Sequence, residues 1–239
     1  MLLHGLGATS QSWDLQIPAL TQAGFRVIAP DARGFGCSPY PGGNHRIADM
    51  ADDVAALLQR IDGAPAHVIG ISMGGTLALQ LALDHAELVR RLVLVNTFAS
   101  LRPDRPSVWL YFALRMLLVN TVGLQAQAQT VARRIFPRPE QSFLRETLIA
   151  QICQADPRGY RVTMRALALF DVTRRLGEIR APTLIVSGAD DTTVPLKSQR
   201  LLVERISGAR HLVIAAAGHA VTVEQPHAFN QAIVEFLTS

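Results

Sequence analysis

Five short runs of the chain, 26–29, 67–71, 91–95, 183–186 and 211–214, are nearly continuous in apolar and β-branched residues. Runs of this length without polar alternation are how strands buried on both faces of a parallel sheet read. Amphipathic stretches at 47–61, 75–85, 196–206 and 226–237 lie between or after them and predict helices. Strands alternating with helices predict an α/β fold, a mostly parallel sheet flanked by helices and joined by right-handed crossovers. The alternation stops between residues 98 and 180. There the pattern is helical throughout, with stretches at 107–119, 122–136, 140–154 and 157–171. Pro103, Pro106, Pro137, Pro139 and Pro157 fall at the joints, where proline starts or ends helices. An all-helical block between two strands predicts a helical cap (99–178) inserted into a core made of 1–98 and 179–239.

Composition narrows the class. The chain has 239 residues, 49% hydrophobic and 18% charged, which excludes a disordered or fibrous protein. The longest apolar stretch runs from Val108 to Val119 and is broken by Arg115, too short for the roughly 20 residues that span a bilayer. The first residues carry neither a basic region nor a long apolar one, so no signal peptide is read. Two cysteines, Cys37 and Cys153, exclude a disulfide framework and a Cys/His metal site, and point to the cytoplasm. The net charge of +4 is unevenly spread. Residues 99–178 hold 12 arginines against 6 acids, and the remainder 11 cations against 13 acids. No basic run of five or more occurs, so nucleic acid is not the expected partner. Attraction of a small anionic substrate is a better use of the charge.

The candidate chemistry begins at Gly70-Ile71-Ser72-Met73-Gly74-Gly75, which follows one predicted strand and opens a predicted helix. In that context a G-x-S-x-G string is the signature of a nucleophile elbow. Serine needs a base to remove its proton. Of seven histidines, His219 lies after a strand and before a helix, at the strand ends where Ser72 also falls. A carboxylate to orient that imidazole is offered by Asp190 and Asp191, which follow the strand at 183–186, and spacing alone does not choose between them.

These motifs, together with His4-Gly5-Leu6-Gly7 and Asp31-Ala32-Arg33-Gly34-Phe35-Gly36-Cys37-Ser38, stand in the order of the α/β-hydrolase fold family. The whole chain resembles that family, and within it the 3-oxoadipate enol-lactonase-like serine hydrolases. The resemblance implies an α/β-hydrolase fold and a Ser72, Asp191, His219 triad, because the family's G-x-x-D-x-x-x-P phrase falls on Gly188, Asp191 and Pro195. It also implies an oxyanion hole from the Leu6 and Met73 amides, structural roles for His4 and Asp31, and no metal or organic cofactor. In some relatives the acid follows the preceding strand, but here Val95-Asn96-Thr97 holds no carboxylate. Relatives also carry two strands and most of a third before the His-Gly loop. Only the stub of that third strand is present, so N-terminal strands are expected to be missing and the sheet to be incomplete beside the Ser72 strand. The implied reaction is hydrolysis of a carboxylic ester or lactone. Carbon–carbon bond hydrolysis, cofactor-free perhydrolysis and non-catalytic binding of a small ligand are the alternatives. Trp109, Tyr111, Phe112 and Met116 are candidates to line the substrate pocket. The oligomeric state is not legible.

Overall fold

The computed structural model describes residues 1–101 and 106–239, with side chains at 106–109 and 112 excepted. In chain order the strands and α-helices are β1 (Leu2–Leu3), α1 (Ile17–Gln22), α2 (Ile47–Arg60), β2 (Ala66–Ile71), α3 (Met73–Asp84), β3 (Val89–Val95), α4 (Pro106–Thr121), α5 (Leu124–Ile135), α6 (Ser142–Gln154), α7 (Pro157–Leu169), β4 (Thr183–Gly188), α8 (Leu196–Arg205), β5 (Arg210–Ile214), α9 (Val221–Glu224) and α10 (Pro226–Thr238).

All five described strands are parallel and lie in the order β1-β2-β3-β4-β5. Their apolar runs serve two faces at once because successive side chains of a strand point to opposite sides. Leu92 and Leu94 of β3 join a core with Leu58 of α2 and Leu77 of α3. Val93 and Val95 join the other, with Trp13, Leu20 of α1 and Phe229, Ile233 and Phe236 of α10. Val93 and Leu94 are fully buried, each worth about 1.5–3 kcal/mol by the usual transfer estimate.

Local chemistry sets the helix starts. The Asp49 carboxylate accepts from the Arg46 amide at 2.6 Å, and Ile47, Met50, Ala51, Val54, Ala55 and Leu58 of α2 form one buried stripe. At α7, Asp156 accepts from the amides of Arg158 (2.7 Å) and Gly159 (2.9 Å), with Pro157 as the first helical residue. The helices α4 to α7 lie between β3 and β4 in the chain, as the sequence pattern predicts. Val119, Val131, Ile152, Tyr160, Met164 and Leu167 from this segment belong to the same core as α2 and α3.

One predicted strand is not formed. Residues 26–29 have no strand assignment; the Ile28 carbonyl accepts a single bond from the Leu2 amide at 2.8 Å. The neighbour on that side, β1, spans two residues, and a ladder needs a longer partner. β1 does lie beside β2, with Leu2 opposite Ile69 and Leu3 opposite Gly70, at one edge of the described sheet. Among the described residues no helix is long and apolar enough to cross a membrane, and no group of three or more His, Cys, Asp or Glu is placed to hold a metal ion.

Candidate active site

Ser72 is the single residue between β2 and α3, with φ 53° and ψ −114°. A non-glycine residue there carries roughly 1–3 kcal/mol of strain and persists only when its surroundings hold it. Three hydrogen bonds do so. The Ser72 amide donates to Val95 O at 2.9 Å, and its carbonyl accepts from the Thr76 amide at 3.1 Å and from Thr97 Oγ1 at 2.7 Å. The flanking glycines make room for this turn. A Cβ on Gly74 would overlap the Leu3 carbonyl oxygen, and one on Gly70 would overlap that of Gly74.

The loops after β4 and β5 meet at the same edge. His219 Nδ1 lies 2.9 Å from Asp191 Oδ2, and the Asp191 side chain is fully buried. The other Asp191 oxygen accepts from the amides of Thr193 (2.7 Å) and Val194 (3.0 Å), which fixes the carboxyl group's direction. A carboxylate only accepts, so Nδ1 carries the proton and Nε2 is left as the basic nitrogen. Asp190 turns away: its amide donates to Ala217 O at 2.8 Å, and its carboxylate pairs with Arg138 at 3.3 Å in a half-exposed position. Of the two adjacent aspartates, only Asp191 contacts His219.

The stretch without a carboxylate after β3 contributes a residue the sequence analysis did not single out. Asn96, at φ 43°, donates from Nδ2 to the carbonyls of His219 (2.8 Å) and Gly218 (3.0 Å). Its Oδ1 accepts from the Gly188 amide at 2.9 Å and from Gln199 Nε2 at 3.4 Å. One buried amide thus ties the histidine loop to the end of β4. Its position directly after a buried strand, at the edge that carries Ser72, was the available signal.

His4 and Asp31 act on loop backbone. His4 Nδ1 donates to Gly5 O at 2.8 Å, and Nε2 accepts from the Ala32 amide at 2.9 Å. Asp31 accepts from the amides of Ser10 (2.7 Å) and Cys37 (2.8 Å). Burial tends to raise the Asp31 pKa, but these amides and nearby His4 outweigh it and hold the pKa below the usual carboxylate value. The loop that His4 anchors carries Leu6, which lines the cavity beside Ser72; Met73 follows Ser72 at the first position of α3, its side chain buried. Among the described residues neither the Leu6 nor the Met73 amide donates a hydrogen bond within the protein.

Burial also sets a pH dependence of stability. The pKa values of His4, His45, His67 and His211 all lie below the ordinary histidine value, with burial as the largest cause in each. His67 is pushed down to about 4, with Arg90 and Arg91 adding to the effect. Below the unfolded histidine value of about 6.5, the unfolded chain therefore binds more protons than the folded one. This stability is complete above that value and is lost as the pH falls toward 4. A calorimetric series is expected to show Tm falling steadily from pH 7 to pH 4.5; a flat or rising Tm over that interval would contradict the assignment.

Ser72 and His219 open onto one cavity of about 1560 Å³. Its described wall includes Gly5 and Leu6 from the loop after β1, and Tyr111, Arg115, Met116 and Arg134 from the inserted helices. Of the four predicted lining residues, Tyr111 and Met116 reach this wall, while the side chains of Trp109 and Phe112 lie outside the described residues.

Comparison with known proteins shows the family. Residues 1–226 match the α/β hydrolase fold family. RutD of Caulobacter sp. (strain K31), whose name proposes a carbamate hydrolase, is 34% identical over 244 residues, covering 100% of this chain and 90% of its own. The 3-oxoadipate enol-lactonase 2 of Acinetobacter baylyi is 34% identical over 233 residues, covering 96% of this chain and 85% of its own. The crystal structure of the enol-lactonase from Burkholderia xenovorans LB400 superposes with a TM-score of 0.89 at 29% identity, over 100% of this chain and 90% of that one. The chain belongs to the α/β-hydrolase fold family and, with these relatives, to its hydrolases.

Proposed function

We propose that the protein is a serine hydrolase that cleaves a carboxylic ester or lactone through an acyl-enzyme. The observation that carries this reading is the Asp191–His219 contact of 2.9 Å beside a strained elbow serine on the wall of the same cavity. Ser72 Oγ attacks the substrate carbonyl while His219 Nε2 takes its proton. The oxyanion that forms is bound by the Leu6 and Met73 amides; losing one such donor typically costs about 2.7–4 kcal/mol of transition-state stabilisation. Collapse of the tetrahedral intermediate breaks the acyl–oxygen bond, and the His219 imidazolium returns the proton to the leaving alkoxide. Water, deprotonated by His219, then attacks the acyl group, releasing the carboxylic acid and restoring Ser72. Asp191 holds the imidazole in the productive tautomer and stabilises its protonated form. The helices α4 to α7 act as a cap that selects the substrate, a small molecule. No step requires a metal or an organic cofactor. The free, exposed thiols of Cys37 and Cys153 support a reducing cytoplasm as the site of action.

Similarity to RutD along the whole chain favours a second reading, hydrolysis of a carbamate. The attack on the carbonyl is the same, but the products include an amine or ammonia and carbon dioxide. Short-chain p-nitrophenyl esters and a simple lactone, assayed beside a carbamate, separate the two. Ester or lactone turnover by wild type is the expected result. Release of an amine from the carbamate with no ester or lactone turnover would replace the first reading by the second, and turnover of none would point to carbon–carbon bond hydrolysis or to ligand binding instead.

A further inference from the structure

We propose that the inserted helical segment holds the catalytic histidine in place: Gln141 clamps the Glu224 carboxylate, and Glu224 holds the backbone beside His219. Both are positioning residues that act through His219, and neither lines the cavity. The proposal rests on the serine-hydrolase reading, in which His219 is the base.

Gln141 ends a short 3₁₀ turn, Pro139–Gln141, between α5 and α6, and is 9% exposed. Its Oε1 accepts from the Arg138 amide at 3.0 Å, which fixes the side-chain amide and leaves Nε2 to donate to Glu224 Oε1 at 2.9 Å. Glu224 ends α9, on the chain that leads away from His219, and is half-buried. Its other oxygen accepts from the Gly218 amide at 2.8 Å. Two neutral donors thus engage the two oxygens of one carboxylate, at distances usual for charge-assisted bonds. A Cβ on Gly218 would stand 3.3 and 3.4 Å from those oxygens, tighter than an ordinary contact, so the close approach of the carboxylate suits glycine.

The peptide between Gly218 and His219 is therefore held from two sides. From the core, Asn96 Nδ2 donates to the Gly218 and His219 carbonyls at 3.0 and 2.8 Å. From the inserted segment, Gln141 and Glu224 hold the Gly218 amide. Asn96 restrains only carbonyls, and fixing the amide as well removes the freedom to pivot about them. That freedom matters because His219 Nδ1 must meet Asp191 while Nε2 serves Ser72. A misplacement of about 1 Å at such a site can cost on the order of 10²-fold in rate. Arg138 adds to the same docking only its exposed pair with Asp190, which contributes little. The inserted segment thus enters the chemistry twice: its helices form a wall of the cavity, and its docking completes the frame of the base.

The test exchanges the two ends of the clamp. Gln141→Glu sets a second carboxylate against Glu224, and adding Glu224→Gln restores one donor and one acceptor in reversed order. With p-nitrophenyl acetate at neutral pH, Gln141→Glu is expected to lower kcat about tenfold while KM stays within about twofold, because the base is displaced and the cavity wall is not. The exchanged double variant is expected to recover kcat to within about threefold of wild type, as coupled neighbours do. Gln141→Leu removes the donor without adding a charge and is expected to lower kcat in the same direction, which keeps the comparison open if Gln141→Glu does not fold. In the proton NMR spectrum, the far-downfield signal of the His219 Nδ1 proton is expected to be sharp in wild type and in the double variant, and broadened in Gln141→Glu and Gln141→Leu as the loop loosens and the proton exchanges with water. Unchanged kcat in both single variants, even with a lower Tm, would make the clamp structural only and overturn the proposal. A loss of kcat that the exchanged variant does not recover would overturn it as well. The hydrolase reading fails separately: if wild type turns over no ester, the proton signal still tests the clamp, and an equal signal in wild type and the single variants would overturn it.

Discussion

Replacing Ser72 with alanine is expected to lower kcat for a p-nitrophenyl ester by four orders of magnitude or more while leaving the fold intact. The nucleophile and its base work as one unit, and removing such a serine elsewhere costs about 10⁶ in kcat. Four orders correspond to about 5.5 kcal/mol of activation free energy. The fold should survive because the bonds that hold the elbow use the Ser72 backbone: its amide to Val95 O, and its carbonyl to the Thr76 amide and Thr97 Oγ1. Alanine keeps all three. The check is steady-state turnover beside far-ultraviolet circular dichroism and Tm. A folded Ser72→Ala protein that retained more than a few per cent of activity would remove Ser72 from the chemistry.

The second large effect separates two neighbours in the chain. Asp191→Asn is expected to cost about 10⁴ in kcat, the scale seen when a triad aspartate becomes an amide and the histidine turns to the wrong tautomer. Asp191 touches His219 Nδ1 at 2.9 Å with its side chain fully buried, so no water can substitute for it. Asp190→Asn alters only a half-exposed pair with Arg138. Exposed pairs contribute little, so its kcat should stay within about threefold of wild type. Equal losses in the two variants, or a larger loss at Asp190, would mean that the acid has been misassigned.

The strands at 91–95 and 183–186 are legible because both faces of the sheet are covered there, and 67–71 reads the same way; 211–214 carries the same apolar pattern although it lies at the edge of the described sheet with Val213 45% exposed. The helical insertion was legible for the converse reason: its strand pattern stops and prolines mark its joints. The run at 26–29 reads the same way, but pairing is a property of two segments, and its neighbour β1 offers two residues. Ser72 and His219 announced themselves through the turns they occupy. Asp191 could be chosen over Asp190 only through the family phrase, because the direction of a side chain in a loop is set by contacts, here with Thr193 and Val194, that a sequence does not display. Asn96 carries no charge to mark it in the sequence, because its role is to hold the backbone of the His219 loop and of Gly188. Arg115 read as a charge interrupting an apolar run. That it is buried beside neutral partners follows from the packing of α4 against α5 and α7, which local periodicity cannot show.

The most direct test of the account is the mass of the Ser72 peptide after wild type is treated with a p-nitrophenyl alkylphosphonate, which mimics the attacked carbonyl and stays on an activated serine. One phosphonyl group on that peptide, appearing in step with the loss of ester turnover, is the predicted result. Inactivation with the group on another residue, or an unmodified Ser72 in a protein that still turns over ester, would contradict it.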